Sequence, residues 1–137
     1  MRQQSASIRA TDGIGLHVTI WLPDDAPKAL VLLAHGIAEH AGRYQHVAER
    51  LTAAGFAVYA PDHRTHGRSE GQPRVYITDF RQAAADLLPA LDLAQREHPG
   101  LHAFIYGHSM GSFLAVSYTH LRAHETPEHL VCRLLLE

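Results

Sequence analysis

Three short apolar runs constrain the fold of this chain most strongly: Ala29-Leu30-Val31-Leu32-Leu33-Ala34, Phe56-Ala57-Val58-Tyr59-Ala60 and Ala103-Phe104-Ile105-Tyr106. A half-buried strand alternates apolar with polar residues, whereas an unbroken apolar run needs cover on both faces, as parallel strands between helices have. The intervening stretches supply those helices. Val47, Ala48, Leu51 and Ala54 follow helical spacing up to Gly55, a C-terminal cap. A longer helix is expected from near Thr78, whose hydroxyl would cap it, to His98-Pro99-Gly100. Its inner face would carry Phe80, Ala84, Leu87, Leu88, Leu91 and Ala94, with a bend at Pro89. Ahead of these runs, Ser5 to Pro23 alternates as a strand pair does, notably through Leu16-His17-Val18-Thr19-Ile20-Trp21, with Asp12-Gly13 placed as a hairpin turn. The expected class is therefore α/β: an antiparallel opening pair, then parallel strands in a doubly wound sheet with helices on both faces.

Composition excludes several kinds of partner. The 137 residues suit one domain, and a formal net charge of −2 with Lys28 as the only lysine gives no basic surface for nucleic acid. No apolar stretch approaches the roughly 18 residues of a membrane span. The start, Met1-Arg2-Gln3-Gln4-Ser5, lacks the apolar centre of a secretory signal, so a soluble cytoplasmic protein is expected. Cys132 stands alone and cannot form an internal disulfide. Nothing in the sequence indicates a cofactor, a metal or an oligomeric state.

Chemistry enters at Gly107-His108-Ser109-Met110-Gly111, between the third apolar run and a helix-prone stretch. This is the strand, turn and helix context of a nucleophile elbow, in which flanking glycines let the chain turn sharply and expose the serine hydroxyl at its tip. Two further motifs each follow an expected strand: His35-Gly36-Ile37-Ala38-Glu39-His40-Ala41-Gly42-Arg43-Tyr44, and Asp62-His63-Arg64-Thr65-His66-Gly67-Arg68-Ser69-Glu70-Gly71. Together the three motifs resemble the α/β-hydrolase superfamily, and within it the monoacylglycerol lipase and lysophospholipase-like serine hydrolases. The resemblance spans about Ser5 to Leu114. Thr65 and Ser112 depart from it, since glycine is usual at the first position and frequent at the second.

The resemblance implies a small-molecule ester or lipid substrate and an acyl-enzyme at Ser109. Serine is a weak nucleophile that needs a base, and the oxyanion it generates needs hydrogen-bond donors. In this fold those donors are the backbone N–H after the nucleophile, here Met110, and one from the loop after an earlier strand, here Ile37. His35 and Gly36 would shape that loop, Gly107, His108 and Gly111 the elbow, and Asp62 to Gly71 would brace the loop from the neighbouring strand. Glu39 and His40 are expected to order the loop rather than to react. A metal site built from His63 and His66 is the weaker reading of residues that belong to a hydrolase motif. Asp86 and Asp92 read as solvated positions, and Phe104 and Tyr106 as core.

The base is harder to find. In the family the triad runs Ser, then Asp or Glu, then His, the last two on loops after later strands. His120, His124, His129, Glu125 and Glu128 follow Ser109, but a helix leaving the elbow carries such residues away from the serine rather than back over it. Their origin is also suspect. Val116 to Thr126 resembles, codon for codon, a translated transposase sequencing adapter, and Leu130 to Glu137 resembles the read-through after its index, which Pro127-Glu128-His129 would encode. Two regions are therefore expected, a partial α/β-hydrolase domain at 1–114 and a non-native tail at 115–137, in which Leu130, Leu134 and Leu135 would make an accidental apolar face. A chain ending there would leave its elbow strand as an apolar edge, an aggregation hazard, and would lack efficient turnover. Non-catalytic binding by a hydrolase-like module, and a peptidase or haloperoxidase variant, are the competing readings.

Overall fold

A computed structural model describes residues 1–123, which form a single five-stranded sheet flanked by helices. Strands β1 (Arg2–Arg9) and β2 (Gly15–Leu22) pair antiparallel around the expected turn, where Gly13 takes a φ of 90° that suits glycine. The next strands are β3 (Ala29–Ala34), β4 (Phe56–Pro61) and β5 (Ala103–Gly107), in sheet order β1-β2-β4-β3-β5. β3 runs parallel to both β4 and β5, whereas β2 meets β4 antiparallel.

The helices cover both faces, as the unbroken apolar runs require. α1 (Gln45–Ala53), preceded by a 3₁₀ turn at Ala41–Tyr44, packs Ala48 and Tyr44 against Trp21, Val31, Leu33, Val58 and Ala60. Gly55 ends it at a φ of 94°, as its sequence position suggests. The other face carries α2 (Phe80–Ala85), α3 (Leu87–Glu97) and α4 (Met110–Ala123), whose Leu87, Leu91, Leu114 and Tyr118 meet Ile20, Leu30, Leu32, Tyr59 and Ile105. α4 continues past Leu114 without a break and buries Ala115 and Tyr118. Among the described residues no helix is long and apolar enough to cross a membrane.

The long helix expected after Thr78 is two helices. Its cap is Asp79, whose carboxylate accepts from the N–H groups of Arg81 (2.9 Å) and Gln82 (3.4 Å). The break falls at Asp86 because Pro89 has no N–H to offer the carbonyl four residues earlier, so proline sits where it is tolerated, in the first turn of α3. Phe80, expected inside, is exposed and meets Phe113 of α4 edge-on, with ring centroids 5.6 Å apart.

Parallel register decides what meets what. Ala34 pairs with Gly107, and Leu32 with both Tyr59 and Ile105, so β3, β4 and β5 end at the same side of the sheet. The segments opening at His35, Asp62 and His108 emerge together there. β5, at the end of the sheet order, is bonded only to β3 among the described residues, and its Phe104 and Tyr106 are half-buried rather than in the core.

Candidate active site

Ser109 sits exposed between β5 and α4 with a φ of 55°, a left-handed conformation that costs a non-glycine residue about 1 kcal/mol or more. The surrounding backbone is too tight for side chains. A Cβ on Gly107 would lie 2.7 Å from the Gly111 carbonyl oxygen and from Ser112 Cα, and one on Gly111 would collide with the carbonyls of Ala34 and His35. These glycines answer close approach rather than a special φ. Ser112 accounts for its own departure from the family pattern: it is buried and its hydroxyl donates to the Gly107 carbonyl at 2.6 Å, tying the first turn of α4 to the end of β5.

The loop after β3 lies against the elbow. A Cβ on buried Gly36 would stand 3.4 Å from both Ser109 Cβ and the His108 carbonyl oxygen, and only 2.8 Å from Glu39 Oε2. Gly36 is held at both its polar groups. Its N–H donates to Glu39 Oε2 at 2.8 Å, and its carbonyl accepts from His35 Nδ1–H at 2.6 Å. Tyr44 donates its hydroxyl to the same Glu39 oxygen at 2.7 Å. Burial pulls the Glu39 carboxyl upward, but the Tyr44 hydroxyl and the Gly36 N–H outweigh it, leaving it below its ordinary value. Ala38 turns the loop at a φ of 58°, and Ile37 is exposed beside Gly36.

Beneath the loop lies a fully buried histidine set. His35 Nε2 accepts from the His63 N–H at 3.0 Å, and His63 Nε2–H donates to the His35 carbonyl at 2.9 Å. These bonds assign His35 a neutral ring with its proton on Nδ1. Burial drives its pKa down to about 4 and that of His63 well below the ordinary value. His66 Nδ1–H donates to the Arg64 carbonyl, so His63 and His66 both serve backbone groups.

The segment from Asp62 to Gly71 braces this arrangement as its sequence suggests. Asp62 accepts from Ala41 N–H (2.8 Å) and Arg68 N–H (2.9 Å), and Ser69 donates to the Asp62 carbonyl (2.6 Å). Thr65, where glycine is usual, holds a φ of 65°, and its hydroxyl bridges the N–H and carbonyl of Tyr76 at 3.1 Å each. One partner is invisible in the sequence pattern. Asp86 is buried, not solvated, and takes Arg64 in a two-pronged pair at 2.6 and 2.9 Å, while Arg64 also reaches Asp12 at 3.0 Å. Burial pushes the Asp86 carboxyl up, against the pull of the two hydrogen bonds and the charge of Arg64.

Met110 opens α4, so its N–H is among those that a helix leaves unbonded at its N-terminus. Among the described residues none is hydrogen-bonded to the Ser109 hydroxyl. His120 is exposed on α4, about 16 Å along the helix from Ser109 at 1.5 Å per residue. His124, Glu125, Glu128, His129, Cys132 and the apolar face at Leu130, Leu134 and Leu135 lie outside the described residues.

Comparison with known proteins gives a consistent picture. The serine aminopeptidase S33 family profile matches residues 25–134. A monoacylglycerol lipase of Mycolicibacterium smegmatis is 45% identical over 82% of the chain, and human monoglyceride lipase 40% identical over 91%. The chain spans 40% of the length of each. A thermostable carboxyl esterase from Bacillus coagulans, solved in complex with glycerol, superposes with a TM-score of 0.83 at 30% identity, covering 99% of this chain and 44% of that one.

Proposed function

From its membership of the serine aminopeptidase S33 family of α/β-hydrolases, we propose that the chain is the nucleophile-bearing part of a serine carboxylester hydrolase acting on monoacylglycerols, lysophospholipids or similar esters. The observation that carries this reading is the strained, exposed Ser109 set against the Gly36 loop. Ser109 Oγ attacks the ester carbonyl, its proton passes to a histidine, and the alcohol leaves to give an acyl-enzyme that water then hydrolyses. The N–H groups of Ile37 and Met110 receive the oxyanion; losing one such donor costs about 10² to 10³ in rate.

The triad acid and base belong to later strands in this reading, which rests on family order and on the absence of a partner for the Ser109 hydroxyl among the described residues. Residues 1–114 are then a partial hydrolase domain, and 115–137 translated adapter. An uninterrupted genomic reading frame encoding Val116 to Glu137 would sink the second half of that statement. The cytoplasmic location belongs to the same proposal.

Labelling with a fluorophosphonate tests the nucleophile. Slow modification of the 137-residue chain at Ser109, abolished in Ser109→Ala, is the expected result. Labelling as fast as that of a complete relative would show that the chain already contains its base. No labelling, together with binding of a monoacylglycerol, would favour a non-catalytic module instead.

A further inference from the structure

The two hydrogen bonds on Gly36 bear on the next peptide as well. A trans peptide is planar, with its C=O and N–H pointing in opposite directions. The Gly36 carbonyl and the Ile37 N–H belong to one such plane, and His35 Nδ1–H takes the carbonyl at 2.6 Å. The Ile37 N–H is thereby turned away from the His35 ring. The preceding plane is fixed in turn, because Glu39 takes the Gly36 N–H at 2.8 Å and is itself held by Tyr44 at 2.7 Å. A glycine has the freest backbone of any residue, and Ala38 two residues on already occupies a left-handed conformation, so the loop has alternatives that these bonds disfavour.

We propose that Glu39, seated by Tyr44, and His35 are positioning residues that clamp Gly36 from both sides and so keep the Ile37 N–H aimed at Ser109. The clamp rests on the reading of Ile37 as an oxyanion donor and adds to it the residues that stop the donor peptide from flipping. Glu39 never touches the substrate in this role. Its carboxylate is the acceptor that a flipped Gly36 would lose. His35 contributes through one tautomer, since its Nε2 is occupied as an acceptor for the His63 N–H.

Glu39 is only partly buried, so its variants are the practical test. The 137-residue chain and its Glu39→Ala, Glu39→Gln and Tyr44→Phe variants are compared by Ser109 phosphonylation rate and by residue-resolved hydrogen exchange at Gly36. Expected for Glu39→Ala is a labelling rate lower by about 10- to 100-fold and faster Gly36 exchange, with an unchanged urea midpoint. Glu39→Gln, which keeps an acceptor oxygen, restores both readouts, and Tyr44→Phe falls between. Unchanged Gly36 exchange in Glu39→Ala overturns the clamp, as does a labelling rate equal to the parent's. Ser109→Ala separates the two ideas: if it labels like the parent, or if the parent does not label at all, the nucleophile reading fails and Gly36 exchange alone judges the clamp.

Discussion

The loop cluster at the ends of β3 and β4 and the outer edge formed by β5 and α4 are opposites in construction. In the first, His35, Asp62, His63 and His66 are buried, and backbone groups from Gly36 to Tyr76 are tied to side chains by short hydrogen bonds. In the second, Phe113 is 58% exposed, Val116 36%, and β5 bonds one neighbour among the described residues. The first region is held largely by its own segment, with Arg64 reaching out to Asp86 and Asp12. The second presents apolar surface and a strand edge of the kind that proteins normally cover. The Gly36 loop is thus held by near neighbours, whereas Ser109 stands on the border of the more exposed region.

The contrast can be broken or sharpened by substitution. Gly111→Ala should have the largest effect, because its Cβ meets the Ala34 and His35 carbonyls and forces the start of α4 away from the end of β3; a loss of about 3 kcal/mol in urea unfolding is expected. Arg64→Met should cost about 3 kcal/mol by leaving the Asp86 carboxylate buried without its partner, and Arg64→Met with Asp86→Leu should recover much of it. If the single variant is neutral, the loop cluster is not the rigid region described above.

Acid comes next. His35 binds protons at about 4 when folded and at 6.5 otherwise, so the unfolded chain takes up more protons between those values. Its contribution is complete above pH 6.5 and is lost as pH falls toward 4, by up to about 3 kcal/mol, with His63 acting in the same direction. Urea midpoints measured from pH 7 to 4 should show this slope, and His35→Asn should flatten it.

The smallest effect belongs to the outer edge. Phe113→Ser should change stability by less than about 1 kcal/mol, the worth of its edge-on contact with Phe80, while raising the concentration at which the chain precipitates. We expect the parent chain to aggregate through this region; a sharp, cooperative melt of a monomer would show that the edge is harmless.

Local pattern made much of this legible. Residues 29–34, 56–60 and 103–106 advertised parallel strands because burial on both faces leaves no polar alternation, and the spacing around Ser109 advertised the elbow because backbone crowding there excludes side chains. What stayed hidden depends on distance across the chain. Asp86 reads as solvated on helical phase alone, since its partner Arg64 lies on another element. Asp79 replaced Thr78 as the cap because both residue types can do the task and only backbone geometry chooses. Tyr44 gave no sign of its bond to Glu39, for an aromatic residue near a helix start is more simply read as core.

Ala34 gives the site a common anchor. It faces Gly107 in the sheet, its carbonyl accepts the His108 N–H at 3.2 Å, and its own chain runs directly into His35 and Gly36. Ser109 and the Gly36 loop therefore hang from one residue pair, so a displacement of the sheet carries both together and leaves the gap between them nearly constant. Distortions that shear β3 against β5 alter that gap, and the parallel pairing from Leu30–Ala103 to Ala34–Gly107, with Gly111 packed on the Ala34 and His35 carbonyls, resists them.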